Sequence, residues 1–487
     1  MHNVSINNYL FKGVNKTATS HDNQGQPFNR TLFLIIIMIG MFCSNFNQTI
    51  LAVAQPTLMH TFGVTAATAQ WLSTGYSLIV GIMTPVTAWL ADNFSSKWLF
   101  EFSMGFFLIG TTSCYLANSF NALLVGRLIQ AIGGALLAGI GTTMLYSIYP
   151  AKQRGTVSAL MGIVFGLAPA IGPTFSGWVL DNWDWHNIFG ALIPLILLAF
   201  ILGFFGLRDV VMENKSRLDW PSVILSTLGF GSLLYGFAMI GNLGWTNWQV
   251  STGIIVGSVL VVLFIRRQLH ITNPVLKLDI FKSHNYSISV SITSISQIAF
   301  AGFEFVLPLY LQTVHGFSAM ESGMCLILGA LVNAAMSPIT GYALNHFNGK
   351  RMIRVGLVIM LLGTLPFIFV TPTTPLIEIV LLYAVRSFGF SAVQMPVTTM
   401  GINGLTKDLI SHGSSGNNMM RFTASAIGTA ILISVQQDVA NQKMLTQASK
   451  TSALLSGYHV AFAIVFILLI LGLVMGQMLK EKEALNK

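Results

Sequence analysis

Charge is what this chain has least of. Lys, Arg, Asp and Glu together make 8% of its 487 residues, while apolar side chains make 53%. Soluble domains carry about 25% charged residues, so the composition excludes an ordinary soluble enzyme. Cysteine is nearly absent as well. The three present, Cys43, Cys114 and Cys325, are scattered through apolar runs. An odd, scattered count excludes a disulfide framework and leaves them as small packing residues. No loop of the form GxxxxGK[ST] occurs, so ATP is not the expected energy source. The ten His residues never take HExxH or a similar spacing, so neither a metal centre nor a cofactor is expected. No nucleophile–base pattern points to catalysis. The first 29 residues lack the basic, apolar and cleavable order of a signal peptide and read as a disordered polar tail.

What is present is a series of long apolar runs. A helix needs about 20 mostly apolar residues to cross a bilayer. Fourteen such runs are expected, near 31–52, 69–91, 98–117, 121–149, 156–180, 187–207, 220–240, 249–265, 286–312, 320–344, 353–370, 376–402, 416–436 and 458–479. Backbone in lipid must satisfy its own hydrogen bonds, so these runs become helices. Barrel strands are excluded, because they alternate residue by residue over about 10 positions. The longest polar connections fall at 272–285 and 437–456.

The net charge of +9 would suit a nucleic-acid partner, but its distribution does not. With the N-terminus inside and the runs alternating, Lys and Arg gather on the inner side, and only Lys443 and Lys450 fall outside. That is the positive-inside pattern of a multi-pass protein with both termini cytoplasmic, its inner face favoured by anionic lipid. The runs also repeat as six, two and six. The fourth of each six carries an Arg, Arg127 and then Arg386. Phe62-Gly63 follows the first run and His315-Gly316 the ninth; Leu90-Ala91-Asp92 follows the second and Leu344-Asn345-His346 the tenth. Such repeats mark transporters built from two bundles around a midplane site. The expected division is a tail over 1–30, a six-helix bundle over 31–207, two inserted helices over 208–285, a second six-helix bundle over 286–479 and a tail over 480–487.

Three motifs carry a resemblance. The fifth run holds Gly162, Gly166, Pro169, Gly172, Pro173 and Gly177, followed by a turn with Trp183 and Trp185. Small residues at this spacing let another backbone approach closely, and Pro permits a bend. The loop after the second run holds Asp92 and Lys97, and the fourth run holds Arg127-Leu128-Ile129-Gln130. On these residues the chain resembles the fourteen-helix drug:proton antiporters of the major facilitator superfamily, over about 33–479. The resemblance implies that the fifth-run glycines and prolines form the antiporter motif, and that Asp92 clamps the inner ends of the two bundles near Ser415 and Gly416. It also implies an acid in the first run where this chain has Asn47. An amide exchanges no proton near neutral pH, so coupling must rest elsewhere.

The remaining signal is charge inside the runs. Burial at the bilayer centre costs about 2.5–3.5 kcal/mol on insertion scales, so each such residue needs a reason. Glu304 sits near the middle of the ninth run, in the repeat partner of the run that lacks an acid. It either lines a central cavity and exchanges protons, or is locked to an Arg, or stays protonated. Arg127 either couples proton release to movement or is a structural hub; Arg386 is its repeat equivalent. Asn47, Phe46, Trp71, Phe303, Tyr310, Met324, Met395 and Arg386 are candidates for a forgiving substrate cavity, because aromatic and thioether groups suit varied ligands. The expected function is proton-coupled export of hydrophobic or cationic small molecules across the plasma membrane by alternating access, with protons, membrane lipids and small substrates as partners. The alternatives are export of one defined molecule, such as a lipid, peptide, amino acid or antibiotic, and a non-transporting receptor.

Overall fold

The computed structural model describes residues 19–22, 25–149, 154–211, 219–271, 274, 276–344, 347–406, 409–445 and 449–480. Two short strands, β1 (Thr19–His21) and β2 (Pro27–Asn29), pair antiparallel. This part of the expected tail is therefore ordered. Asn29 then caps the first long helix, its side-chain oxygen accepting from the amides of Thr31 and Leu32 at 3.0 and 3.1 Å, a standard use of Asn at a helix start.

The helices of the first half are α1 (Arg30–Thr49), α2 (Gln55–Phe62), α3 (Ala66–Ala69), α4 (Trp71–Asn93), α5 (Ser96–Tyr115), α6 (Phe120–Ile148), α7 (Arg154–Asn182), α8 (Asn187–Gly190) and α9 (Ile193–Gly206). An inserted pair follows, α10 (Trp220–Leu243) and α11 (Trp248–His270). The second half comprises α12 (His284–Thr313), α13 (Ala319–Leu344), α14 (Gly349–Thr364), α15 (Leu376–Asn403), α16 (Ile410–Leu445) and α17 (Lys450–Met478). Each expected run falls largely on one or two of these helices. Eleven spans among the described residues are long and apolar enough to cross a membrane on composition alone.

Boundaries shift where local chemistry overrides hydropathy. The expected long loop over 437–456 is mostly helix: α16 continues through Gln436, Gln437 and Asp438 to Leu445, and α17 starts at Lys450, where Ser449 caps it. The 272–285 connection contains a 3-10 turn, Leu278–Lys282. The eleventh run tightens to a 3-10 segment at Leu365–Phe369, where Pro366 lacks the N–H that an α-helix would use.

Packing divides the chain. One apolar core holds residues from Phe28 to Leu207; another is dominated by residues from Ile292 to Leu479. The inserted pair joins two smaller cores, one made by α4, α10 and α16 around Leu78, Leu234 and Ala426, the other by α11, α12 and α16 around Phe264, Tyr286 and Met419. Helix direction defines two ends. The terminal end holds the starts of α1, α5, α12 and α14; the far end holds the loops after α2, α5, α7 and α12. Two far-end glycines, Gly63 and Gly316, occupy the left-handed region at φ 62° and 73°. They are one of the repeat pairs visible in the sequence, and only glycine adopts that backbone without strain.

Candidate functional site

The first span is interrupted. Between α1 and α2, Ala52 and Ala54 bond back only three residues, to Thr49 and Leu51. The tightened turn frees carbonyls that a continuous helix would use. Two of them receive side chains: Asn47 O accepts from Arg127 Nη1 at 3.4 Å, and Val53 O accepts from Gln312 Nε2 at 3.0 Å. Discontinuous helices of this kind create polar sites inside membranes.

Arg127, on α6, is completely buried. Its Nε donates to Leu72 O at 3.2 Å, and Nη1 donates to Gln130 Oε1 at 2.7 Å. Gln130 Nε2 donates in turn to Thr111 Oγ1 at 2.7 Å. The Tyr76 ring covers the guanidinium at 4.5 Å, a cation–π arrangement. Tyr76, Ser44 and Asn47 stand together beside it. Among the described residues no carboxylate lies within its electrostatic reach; its ionisable neighbours are Cys114 and Tyr76.

Arg386, on α15, repeats this arrangement in the second half. It is completely buried. Its Nε donates to Thr364 Oγ1 at 3.1 Å, and Nη2 donates to Ala299 O on α12. The Phe303 ring lies 4.0 Å from its guanidinium carbon. Each Arg thus sits on the fourth span of its half, with a bond to a carbonyl of the first span and a threonine of the third nearby. Thr364 stands as far beyond Thr111 as Gly316 stands beyond Gly63. Reasoning from sequence missed both threonines, although that common offset could have found them.

The difference is Glu304. This half-buried carboxyl on α12 lies within electrostatic reach of Arg386. Among the described residues neither a hydrogen bond nor an ion pair within 4 Å holds it. Glu304, Pro308 and Gln312 occupy one side of α12 at helical spacing, and Gln312 reaches across to Val53 of the first half. That side therefore faces the junction of the halves.

At the far end the halves close on each other. α7 and α13 cross through reciprocal notches. A Cβ on Gly177 would meet Ala319 O at 2.5 Å, and one on Gly323 would meet Pro173 O at 2.5 Å. Thr174 Oγ1 donates to Gly323 O at 3.3 Å, and Met320 N donates to Asp181 Oδ2 at 3.2 Å. Ala67 N donates to Gln437 Oε1 at 2.9 Å. Gly172 serves the other side of α7, where a Cβ would lie 2.4 Å from Thr49 Oγ1 at the interruption of the first span.

The other expected residues do not gather into one chamber. Phe46 is buried beside Asn47, its ring 5.6 Å from Phe175 of α7. Phe303 is enclosed by Phe367, Tyr383 and Phe462. Tyr310 is buried near the far end, where its hydroxyl donates to Thr371 O and contacts His315 Nε2, both at 2.8 Å. Trp71 lies 6.2 Å from Tyr235 on the inserted pair. Met324 and Met395 are exposed. Lys97 places its ammonium 5.5 Å from the Phe204 ring, while the acid that caps α5 is Asp209, accepting from Ser96 N at 2.7 Å and Ser96 Oγ at 2.8 Å. The side chains of Asp92, Gly162, Gly166 and Pro169 lie outside the described residues.

A two-halved, nearly all-helical membrane bundle with paired arginines and a close helix crossing defines a transporter architecture. The model of the Major Facilitator Superfamily matches residues 37–429, and the chain belongs to that family. It is 37% identical over 458 residues to the "Uncharacterized MFS-type transporter YcnB" of Bacillus subtilis, covering 94% of this chain and 97% of that protein. It is 34% identical over 457 residues to the "Lincomycin resistance protein LmrB" of the same organism, covering 92% and 95%. Among solved structures, the POT family transporter PepTSo superposes with a TM-score of 0.66 at 14% identity, covering 92% of this chain and 99% of that one, which is a likeness of fold. The chain is a multi-pass membrane transporter.

Proposed function

We propose that this transporter exports hydrophobic drugs and other toxic compounds, including those with a cationic group, in exchange for protons, and that Glu304 is the carboxyl that carries the proton. The observation that carries this reading is the placement of Glu304: inside a span, on the side of α12 that faces the other half, near Arg386 yet bound to nothing among the described residues. A carboxyl so placed takes a proton on one face of the membrane and yields it on the other as the halves rock. Arg386 is the cation within electrostatic reach of that carboxyl. The α7–α13 crossing, with its reciprocal glycine notches, serves as the seal at the far end, and Asp92 with Lys97 as the opposing closure.

The orientation rests on charge. Arg30, Lys97, Arg208, Arg266, Arg267, Lys350 and Arg351 lie at the terminal end, Lys443 and Lys450 at the far end, which makes the terminal end cytoplasmic in a plasma membrane. Similarity to a lincomycin resistance protein supports drug export over a dedicated nutrient carrier. The test is accumulation of a cationic dye and of lincomycin by everted vesicles under an imposed pH gradient. Uptake that collapses with the gradient and in Glu304→Gln supports the proposal; uptake unchanged by both refutes it.

A further inference from the structure

We infer that Arg127, with Asn47 and Tyr76, forms a subsite for an anionic, carboxylate-type group on the transported molecule. The inference rests on the transport reading above and narrows its substrate class to amphiphiles that carry an anion, zwitterions included.

Three observations lead there. The first is charge balance. Among the described residues the fully buried guanidinium groups are Arg127 and Arg386, and the carboxyls to weigh against them are Glu101 and Glu304. Glu304 lies within reach of Arg386. Glu101 is buried between α5 and α9, where its Oε1 would lie 2.5 Å from a Cβ on Gly203 and its charged neighbour is Lys97. Neither carboxyl is among the ionisable neighbours of Arg127. Neutral acceptors hold that cation but leave its charge unbalanced.

The second is the unused edge of the guanidinium. Nε bonds Leu72 O at 3.2 Å and Nη1 bonds Gln130 Oε1 at 2.7 Å, but Nη2 is buried with no partner among the described residues, and the remaining Nη1 contact, to Asn47 O, is long at 3.4 Å. The Nη1–Nη2 edge is the one that takes a carboxylate through two parallel bonds. The third is what surrounds that edge. The Asn47 amide and the hydroxyls of Tyr76 and Ser44 supply further donors, and the acceptor to be displaced belongs to the interrupted turn of the first span, the segment with the fewest helical bonds to lose. In the second half Arg386 Nη1 is likewise buried without a partner among the described residues, but there Glu304 lies within electrostatic reach.

The test compares two dyes with one chromophore: rhodamine B, whose carboxylate is free at pH 7, and its ethyl ester, which keeps the cationic ring system and lacks the anion. Binding to the purified full-length protein in lipid nanodiscs is read by fluorescence anisotropy. The expected result is at least tenfold tighter binding of rhodamine B. Arg127→Gln should bring the two affinities within about twofold. Asn47→Asp, which sets a fixed carboxylate beside Arg127, should reverse the preference toward the ester, and serves if Arg127→Gln does not yield folded protein. Glu304→Gln should keep the preference while losing accumulation driven by a pH gradient, so failure of the coupling proposal and failure of the subsite are separable. Equal affinities in the wild type, tighter binding of the ester, binding of neither dye, or a preference that survives both Arg127→Gln and Asn47→Asp would overturn the inference.

Discussion

In the first half of the molecule, Arg127 is held by two carbonyls, the amide of Gln130 and the face of Tyr76. In the second half, Arg386 is held by one carbonyl, a threonine and the face of Phe303, with Glu304 nearby. The scaffold is common to both; the acid is not. The helix that supplies the carbonyl differs as well, because the first span is interrupted after Thr49 whereas α12 runs unbroken from His284 to Thr313 through Pro308. The two halves share the placement of the guanidinium and differ in its charge balance. A proton carrier needs one acid that changes state, and a second ionisable acid in the matching place would compete with it for the same proton and the same counter-charge.

The largest expected effect tests that asymmetry directly. Glu304→Gln should reduce gradient-driven accumulation on the order of 100-fold, because an amide cannot exchange a proton near neutral pH, with the protein still monodisperse by size exclusion; activity within twofold of wild type would make the two halves equivalent. Next comes the crossing that joins them. Gly177→Leu places side-chain atoms where the Ala319 backbone now lies, and the nearest atom would be 2.5 Å from its Cβ. It should cut transport by about tenfold and raise far-end thiol accessibility, since interfaces of small residues depend on backbone approach.

The paired threonines sharpen the comparison. Thr364→Val removes the acceptor for Arg386 Nε, and Thr111→Val removes the acceptor for Gln130. Each should cost about 1–3 kcal/mol, the usual penalty for a buried donor left unpaired, read as a lowered midpoint of thermal unfolding in detergent. A much larger loss in only one would show that the scaffolds are not equivalent. The smallest effect concerns the inserted pair. Arg267 grips Asp219 through two hydrogen bonds of 2.7 and 2.6 Å, and this partner holds the Asp219 carboxyl below the usual carboxylate range. A depressed folded value means that the stabilisation is complete above the unfolded pKa, about 3.9, and is lost as pH falls through the folded value. Asp219→Asn should therefore lower the unfolding midpoint at pH 7 and match the wild type once the pH is below the folded value.

Hydropathy made the helices legible because lipid-facing and core positions are both apolar, and length alone then separates a span from a strand. The same uniformity hid the interruption at 50–54, where Ile50 to Ala54 are as apolar as any helix, and hid which way side chains point. Phe303 and Met324 look alike as cavity candidates, yet one is enclosed by aromatic rings and the other is exposed. Buried charge proved the more informative signal. Glu304 and both arginines were marked by their cost in hydrocarbon, whereas Thr111, Thr364 and Gln312, which bear no charge, went unremarked until their bonds were seen.

The inserted pair has a mechanical consequence. It lies along α16 at both ends, through the Ser434–Ala238 contact at 3.2 Å and through Phe264 beside Met419, and it meets α4 around Leu78, Ile82 and Trp71. Bonded to α16 and packed on α4, the pair is expected to follow the second half. A tilt of that half during transport would then move this hairpin through the surrounding lipid, so membrane viscosity and thickness would bear on the speed of the cycle.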